Sequence, residues 1–198
     1  AERFYEATEG RVCLDGQDIR EMPLEKLRHR LALIPQQAFL FAGTIADNLR
    51  HGYPEATEEQ LWRALRIAQA ADFVQALPEG LDAPVTQGGT NYSGGQRQRL
   101  CIARALARPC DYYLFDDSFS ALDFRTDARL RQALRRELGH AGVLLVAQRV
   151  GTVMNADRIL VLEEGRLVGM GRHEELLKTC SVYREIVQSQ LQGEEAAS

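Results

Sequence analysis

Four bulky residues running straight into two carboxylates, Tyr112-Tyr113-Leu114-Phe115-Asp116-Asp117, constrain this chain most. Such a run, without polar alternation, reads as a parallel strand covered on both faces. Its carboxylates then fall at the carboxyl edge of a sheet, where open α/β folds bind ligands. Upstream, Ser93-Gly94-Gly95-Gln96 reads as a helix start, because Ser93 and Gln96 have the spacing of a capping box. Gly94 and Gly95 leave that end bare. Free N–H groups and the positive end of the macrodipole suit an anion there, phosphate foremost. Carboxylates at the sheet edge suit Mg²⁺, which takes one or two protein oxygens besides phosphate and water.

Ser93-Gly94-Gly95-Gln96 followed by Arg97-Gln98-Arg99 resembles the signature motif of the ATP-binding-cassette (ABC) family. Tyr112 to Asp117 resembles its Walker B strand, and Ser120-Ala121-Leu122-Asp123 its D-loop. All three keep the family's order and spacing. The resemblance implies an α/β fold: a P-loop NTPase-like ABC ATPase core with a parallel sheet, plus a helical subdomain. Residues 1–36 and 97–198 are expected to form the core, and about 37–96 the Q-loop, helical subdomain and signature.

The 198 residues, 45% of them hydrophobic, suffice for one domain, or one domain with a subdomain, that buries a core. Nothing approaches the length of a membrane span. A net charge of −4 argues against a nucleic-acid partner. Cys13, Cys101, Cys110 and Cys180 lack ligand-pair spacing and read as reduced thiols in apolar surroundings.

Gly10 to Gly16 reads as a strand entering an Asp15-Gly16 turn, with Gln17-Asp18-Ile19 returning. No Gly-x-x-x-x-Gly-Lys-Ser/Thr phosphate loop occurs in the sequence, nor the aromatic residue that stacks on adenine in the family, whereas Arg3-Phe4-Tyr5-Glu6 resembles the segment following that loop's helix. The expectation is a chain starting just downstream of its own Walker A and binding ATP poorly by itself.

Leu31 to Ile34 reads as a strand ended by Pro35, and Gln36 matches the Q-loop glutamine, which the resemblance makes a sensor of Mg²⁺ and attacking water. Phe39-Leu40-Phe41-Ala42-Gly43-Thr44-Ile45 resembles the loop that faces the membrane domain's coupling helices in exporters; an apolar loop can equally be core. Thr57 to Leu77 is expected to be helical, with a capping box at Thr57 and Gln60, an inward face of Leu61, Leu65 and Ala68, and Trp62 packing. Gln87 replaces an acidic residue of the family, and Tyr92 stands where many members carry Leu.

A helix over 97–108 should turn Leu100, Ala103 and Leu106 or Ala107 inward and stop at Pro109. Arg97, Arg99, Arg104 and Arg108 read as a solvated or salt-bridged face. A second helix after Asp123 carries Leu130, Leu134 and Leu138, and Val143 to Ala147 reads as another buried parallel strand. Residues 156–171 read as a hairpin turning near Glu164-Gly165. His173 opens a helix as a surface or capping residue, Tyr183 to Gln192 is helical, and 194–198 form a frayed tail.

Two departures from the family decide the implied mechanism. Asp117 stands where the catalytic Glu orients or deprotonates water, and Gln148 where a histidine contacts the γ-phosphate. One methylene fewer retracts the carboxylate, and about 1 Å of displacement can cost on the order of a hundredfold in rate. A glutamine donates a hydrogen bond but exchanges no proton. The resemblance is therefore to the degenerate half of a heterodimeric multidrug-type exporter on the cytoplasmic face of the membrane. It implies ATP and Mg²⁺ as cofactors, a transmembrane domain and a second ABC ATPase domain as partners, and transport-coupled ATP hydrolysis. The residues it marks are Asp117 and Gln148 for catalysis, Asp116 and Gln36 for metal, and Gln36, Tyr92, Ser93, Gly94, Gly95, Gln96 and Asp123 for nucleotide. A non-hydrolysing nucleotide-gated dimerisation module and a soluble ABC ATPase of DNA repair or translation are the alternatives. The latter normally carries a coiled-coil insertion between Gln36 and Ser93, or a basic linker between tandem cassettes, and neither is present.

Overall fold

The computed structural model describes residues 2–196, whose first regular element is the hairpin expected at Asp15-Gly16: β1 (Cys13–Leu14) pairs antiparallel with β2 (Gln17–Asp18). Asp15 and Gly16 both have positive φ, 51° and 82°, as a two-residue turn matched to strand twist requires. After Pro23, α1 (Leu24–Arg30) feeds directly into β3 (Leu31–Ile34). Arg30 then ties three segments together: it pairs with Asp15 of the hairpin and with Asp111 at 2.5 Å, while the Tyr112 hydroxyl donates to Asp15. The Tyr112 hydroxyl, followed by the Arg30 guanidinium, holds the Asp15 carboxyl below its usual range.

Beyond Pro35 the chain forms β4 (Gly43–Thr44) and α2 (Ile45–Arg50), a helix started by a Thr44–Asp47 capping box. Next come α3 (Glu58–Ile67) and α4 (Ala71–Gln75). The expected capping box at Thr57 and Gln60 is present, and Leu61, Leu65 and Ala68 are fully buried. The expected continuous helical stretch is instead broken at Gln69, whose φ of 57° cannot continue a right-handed helix. β5 (Pro84–Val85) pairs with β4, and α5 (Gly94–Ala107) begins at the expected Ser93 cap and runs through to the residue before Arg108.

β6 (Tyr112–Asp116) is the middle strand of a parallel sheet in the order β3-β6-β7, with α6 (Phe124–Glu137) leading to β7 (Gly142–Val146). One face carries Tyr113 and Phe115 into the core shared with α2, α3, α5 and α6, where Leu130 and Leu134 are buried and Leu138 follows the last helical residue inward. β7 corrects an expectation. It is exposed rather than buried, with Leu144 at 51% and Val146 at 53%, because it is an edge strand and the described residues leave the second sheet face open.

The arginines of α5 correct another. Among the described residues Arg97, Arg99, Arg104 and the capping Arg108 form neither a solvated stripe nor an ion-paired one; most of them hydrogen-bond backbone carbonyls. Arg97 donates to Tyr92 O, Arg99 to Gln69 O at 2.6 Å, and Arg108 to Arg28 O and Leu31 O. Arg104 lies against the Phe41 ring and Arg99 against Phe73. Cys101, Cys110 and Cys180 are buried as expected, and burial pushes the first two thiols up; Cys13, by contrast, is exposed on β1.

The structure divides into two units, Ala1–Val146 and Ala147–Ser198. The second contains α7 (Val150–Val153), the hairpin β8 (Ile159–Glu163) and β9 (Arg166–Gly171), α8 (His173–Thr179) and α9 (Ser181–Ala196). The hairpin turns at Glu164-Gly165, both at positive φ. His173 opens α8, with its Nδ1 2.8 Å from the Tyr183 hydroxyl. α9 runs to Ala196, into the segment expected to fray, and 197–198 lie outside the described residues.

Candidate nucleotide site

Parallel register brings the first two site residues together. Ile34 pairs with Phe115, and Gln36 and Asp117 each lie two residues further on, at equivalent places beyond the ends of β3 and β6. Gln36 Nε2 donates to Asp117 Oδ2 at 3.2 Å. Asp117 adopts φ 43°, a left-handed conformation that aspartate tolerates better than most residues. Both sides of the peptide hold it: its N–H donates to Val146 O at 2.8 Å, and its carbonyl accepts from Ser120 Oγ at 2.8 Å. Asp116 is exposed at the strand end, while Asp117 is 9% exposed. Gln98, buried on α5, donates to Pro35 O at 3.4 Å and ties the helix to the start of the Gln36 loop.

The end of α5 has the bare form expected. Ser93 and Gln96 close a reciprocal box, Gln96 N to Ser93 Oγ at 3.3 Å and Ser93 N to Gln96 Oε1 at 2.9 Å. A Cβ placed on Gly94 meets nothing within 4 Å, and one on Gly95 comes to 3.5 Å of Ala121 O, so this helix end lies beside the segment leading to Asp123. Asp123 itself caps α6 by accepting from Thr126 N at 3.0 Å, a bond that holds its carboxyl below the usual range. Tyr92, which precedes the cap, has its ring in the core: it is 8% exposed, its hydroxyl donates to Pro84 O, and burial pushes that hydroxyl up.

The loop over 39–44 exposes Phe39 and Phe41 while burying Leu40 and Ile45. The stretch is thus core at Leu40 and Ile45 and exposed at Phe39 and Phe41. Phe41 stacks on His51 with centroids 4.2 Å apart. Asn48, a buried amide, accepts from Phe41 N and donates to Phe41 O, both at 2.8 Å, fixing the loop. Gly88 N donates to Leu40 O at 2.8 Å, and the Gln87 side chain accepts from Ala42 N, so the turn before the signature fastens to this loop within the chain. A Cβ on Gly89, at φ 67°, would come to 2.8 Å of the Leu40 side chain, which requires glycine there.

Gln148 belongs to the second unit, where its carbonyl accepts from Gln190 Nε2 at 2.6 Å and Gln190 Oε1 accepts from Val150 N. Asn48, Gln98 and the α2 capping box were missed from the sequence. Thr44 and Asp47 have legible cap spacing, but an amide inside an apolar helix face is recognised as a fastener only once its partners are known. The carboxyl edge of β3 and β6 fits Mg²⁺ in donor chemistry, with two carboxylates and an amide. Among the described residues no cluster of three or more His, Cys, Asp or Glu could hold a metal. Such an ion would take most ligands from phosphate and water, as Mg²⁺ does.

Comparison with known proteins defines the family. Residues 2–120 match the ABC transporter family model. An uncharacterized ABC transporter ATP-binding protein of Mycobacterium tuberculosis is 48% identical over 95% of the chain, which covers 32% of that protein. An ATP-dependent lipid A-core flippase of Chromohalobacter salexigens is 44% identical over 98% of the chain and 33% of its own length. A bacterial Atm1-family ABC exporter solved with ATP bound superposes with a TM-score of 0.92 at 38% identity, over 96% of the chain and 34% of the exporter. The chain belongs to the ABC transporter family, as an ATP-binding domain with the ABC ATPase core. It spans about a third of the length of these relatives.

Proposed function

We propose that this chain is the ATP-binding part of an ABC exporter, working at the cytoplasmic face of a membrane with a transmembrane domain and a second, non-identical ABC domain. The observation that carries the reading is the end of α5, capped by Ser93 and Gln96 and left open at Gly94. In a head-to-tail pair this end would complete the partner's ATP site, its hydroxyl and helix-end amides meeting the γ-phosphate as charge develops. The chain's own edge would hold ATP with little turnover. Asp116 and Gln36 would hold Mg²⁺, which supplies charge neutralisation between the phosphates when bound. Asp117, shorter than glutamate and engaged by Gln36, would orient water poorly, and Gln148 would donate a hydrogen bond without moving a proton. Exposed Phe39 and Phe41 supply an apolar surface suited to a membrane-domain helix.

The experiment is ATP hydrolysis by the full-length chain, first alone and then with its partner. Turnover that needs the partner supports the reading, and rapid turnover by the chain alone opposes it. The Gln36–Asp117 bond also favours a second reading, a nucleotide-gated dimerisation module: ATP-dependent pairing without phosphate release, partner supplied, would select it.

A further inference from the structure

Ser118 follows Asp117 in the turn leaving β6 and is 1% exposed, yet its Oγ has no hydrogen-bond partner among the described residues. Polar groups around it are matched. Asp117 N reaches Val146 O, Asp117 O accepts from Ser120, Gln36 reaches the Asp117 carboxylate, and Leu122 N donates to Phe119 O. Folded proteins keep few buried hydroxyls without partners, since each forfeits its hydration. The residue before it sits at φ 43°, also a disfavoured state for a non-glycine residue. Two adjacent residues of one turn are thus held in unfavourable states, and the turn directly follows the strand that delivers the carboxylates. A second arrangement of 117–120 that pairs the hydroxyl therefore lies closer in free energy than it would for a satisfied turn.

We propose that Ser118 is a positioning residue for ATP hydrolysis: its hydroxyl gains an acceptor when the turn rearranges around bound nucleotide, and this fixes the Asp117 carboxylate. The inference rests on the reading that this edge faces the nucleotide. The test compares full-length wild type and Ser118→Ala by thermal melting with and without Mg-ATP, together with the single-turnover rate of ATP hydrolysis at this chain's own site, the partner site disabled. Without nucleotide the variant melts no lower than wild type, because a hydroxyl without a partner is lost at no cost. With ATP its gain in Tm is smaller by roughly half or more, and the slow single-turnover rate at this site falls while steady-state hydrolysis by the assembled pair does not change. A variant that melts lower or fails to fold without nucleotide shows the hydroxyl paired all along and overturns the inference, as does an unchanged ATP-induced gain. If ATP does not raise the Tm of the wild type, the nucleotide reading itself fails and this inference with it.

Discussion

Gln36 Nε2 donates to Asp117 Oδ2 at 3.2 Å, joining the chain just beyond β3 to the chain just beyond β6, the two residues proposed above to face metal and attacking water. The bond occupies both groups with each other. Glutamate at 117 would extend the carboxylate by a methylene beyond the present contact. Asp117→Glu is expected to raise turnover at this chain's own site by on the order of a hundredfold, the scale set by about 1 Å of placement. Single-turnover ATP hydrolysis in the assembled transporter, its partner site disabled, measures this. No gain would mean that another feature limits the site.

The Phe39–Phe41 loop makes a different prediction. Both rings are more than a third exposed and pack against each other edge to face at 5.4 Å. Phe39→Ser with Phe41→Ser removes the stacking on His51 and Arg104, so it should lower the melting temperature of the domain modestly while reducing its aggregation in light scattering. In the full-length transporter the same pair should weaken the stimulation of ATPase by transported substrate. Unaltered stimulation would remove the loop from the docking surface.

Tyr92 is predicted to matter for packing alone. Its hydroxyl donates to Pro84 O at 3.1 Å from a buried ring. Tyr92→Phe should cost about 1 kcal/mol of stability, the usual net worth of such a bond, in chemical denaturation. ATP affinity should not change; a rise in the Kd for ATP with unaltered stability would return the ring to the binding site.

Acid stability follows from the Asp15 cluster. Tyr112 and Arg30 hold the Asp15 carboxyl below its ordinary value. A group whose folded pKa is depressed contributes stability above its unfolded pKa, about 4, and loses it as pH falls through the folded value. Melting from neutral pH downward should show wild type above Asp15→Asn near neutrality, with the two curves converging below about pH 4. A gap independent of pH would assign the effect to packing.

Local features were legible in the sequence because their causes are local. The Asp15-Gly16 and Glu164-Gly165 turns, the Thr57 and Ser93 caps and the strand over 112–116 depend on neighbouring residues. The Gln36–Asp117 contact depends on parallel register, which no spacing along the chain reveals. The α5 arginines have the side chains of a solvated face, and only the carbonyls of Tyr92, Gln69 and Arg28 turn them into fasteners. β7 has the composition of a buried strand, and the sheet face that Leu144 and Val146 share, left open among the described residues, decides their exposure. Tyr92 sits beside Ser93 in sequence, but its burial comes from Phe73 and Pro84, partners that spacing along the chain does not reveal.

The claim that this chain serves its partner's nucleotide more than its own is tested most directly by two single substitutions in the assembled transporter. Gly94→Asp places a negative charge at the helix end, in space where a Cβ meets nothing, and Asp117→Asn removes the carboxylate at the chain's own edge. Steady-state ATP hydrolysis should fall on the order of a hundredfold for Gly94→Asp, the scale of losing a transition-state donor, and stay within about twofold for Asp117→Asn. The reverse order, with Gly94→Asp still active and Asp117→Asn inactive, contradicts the account.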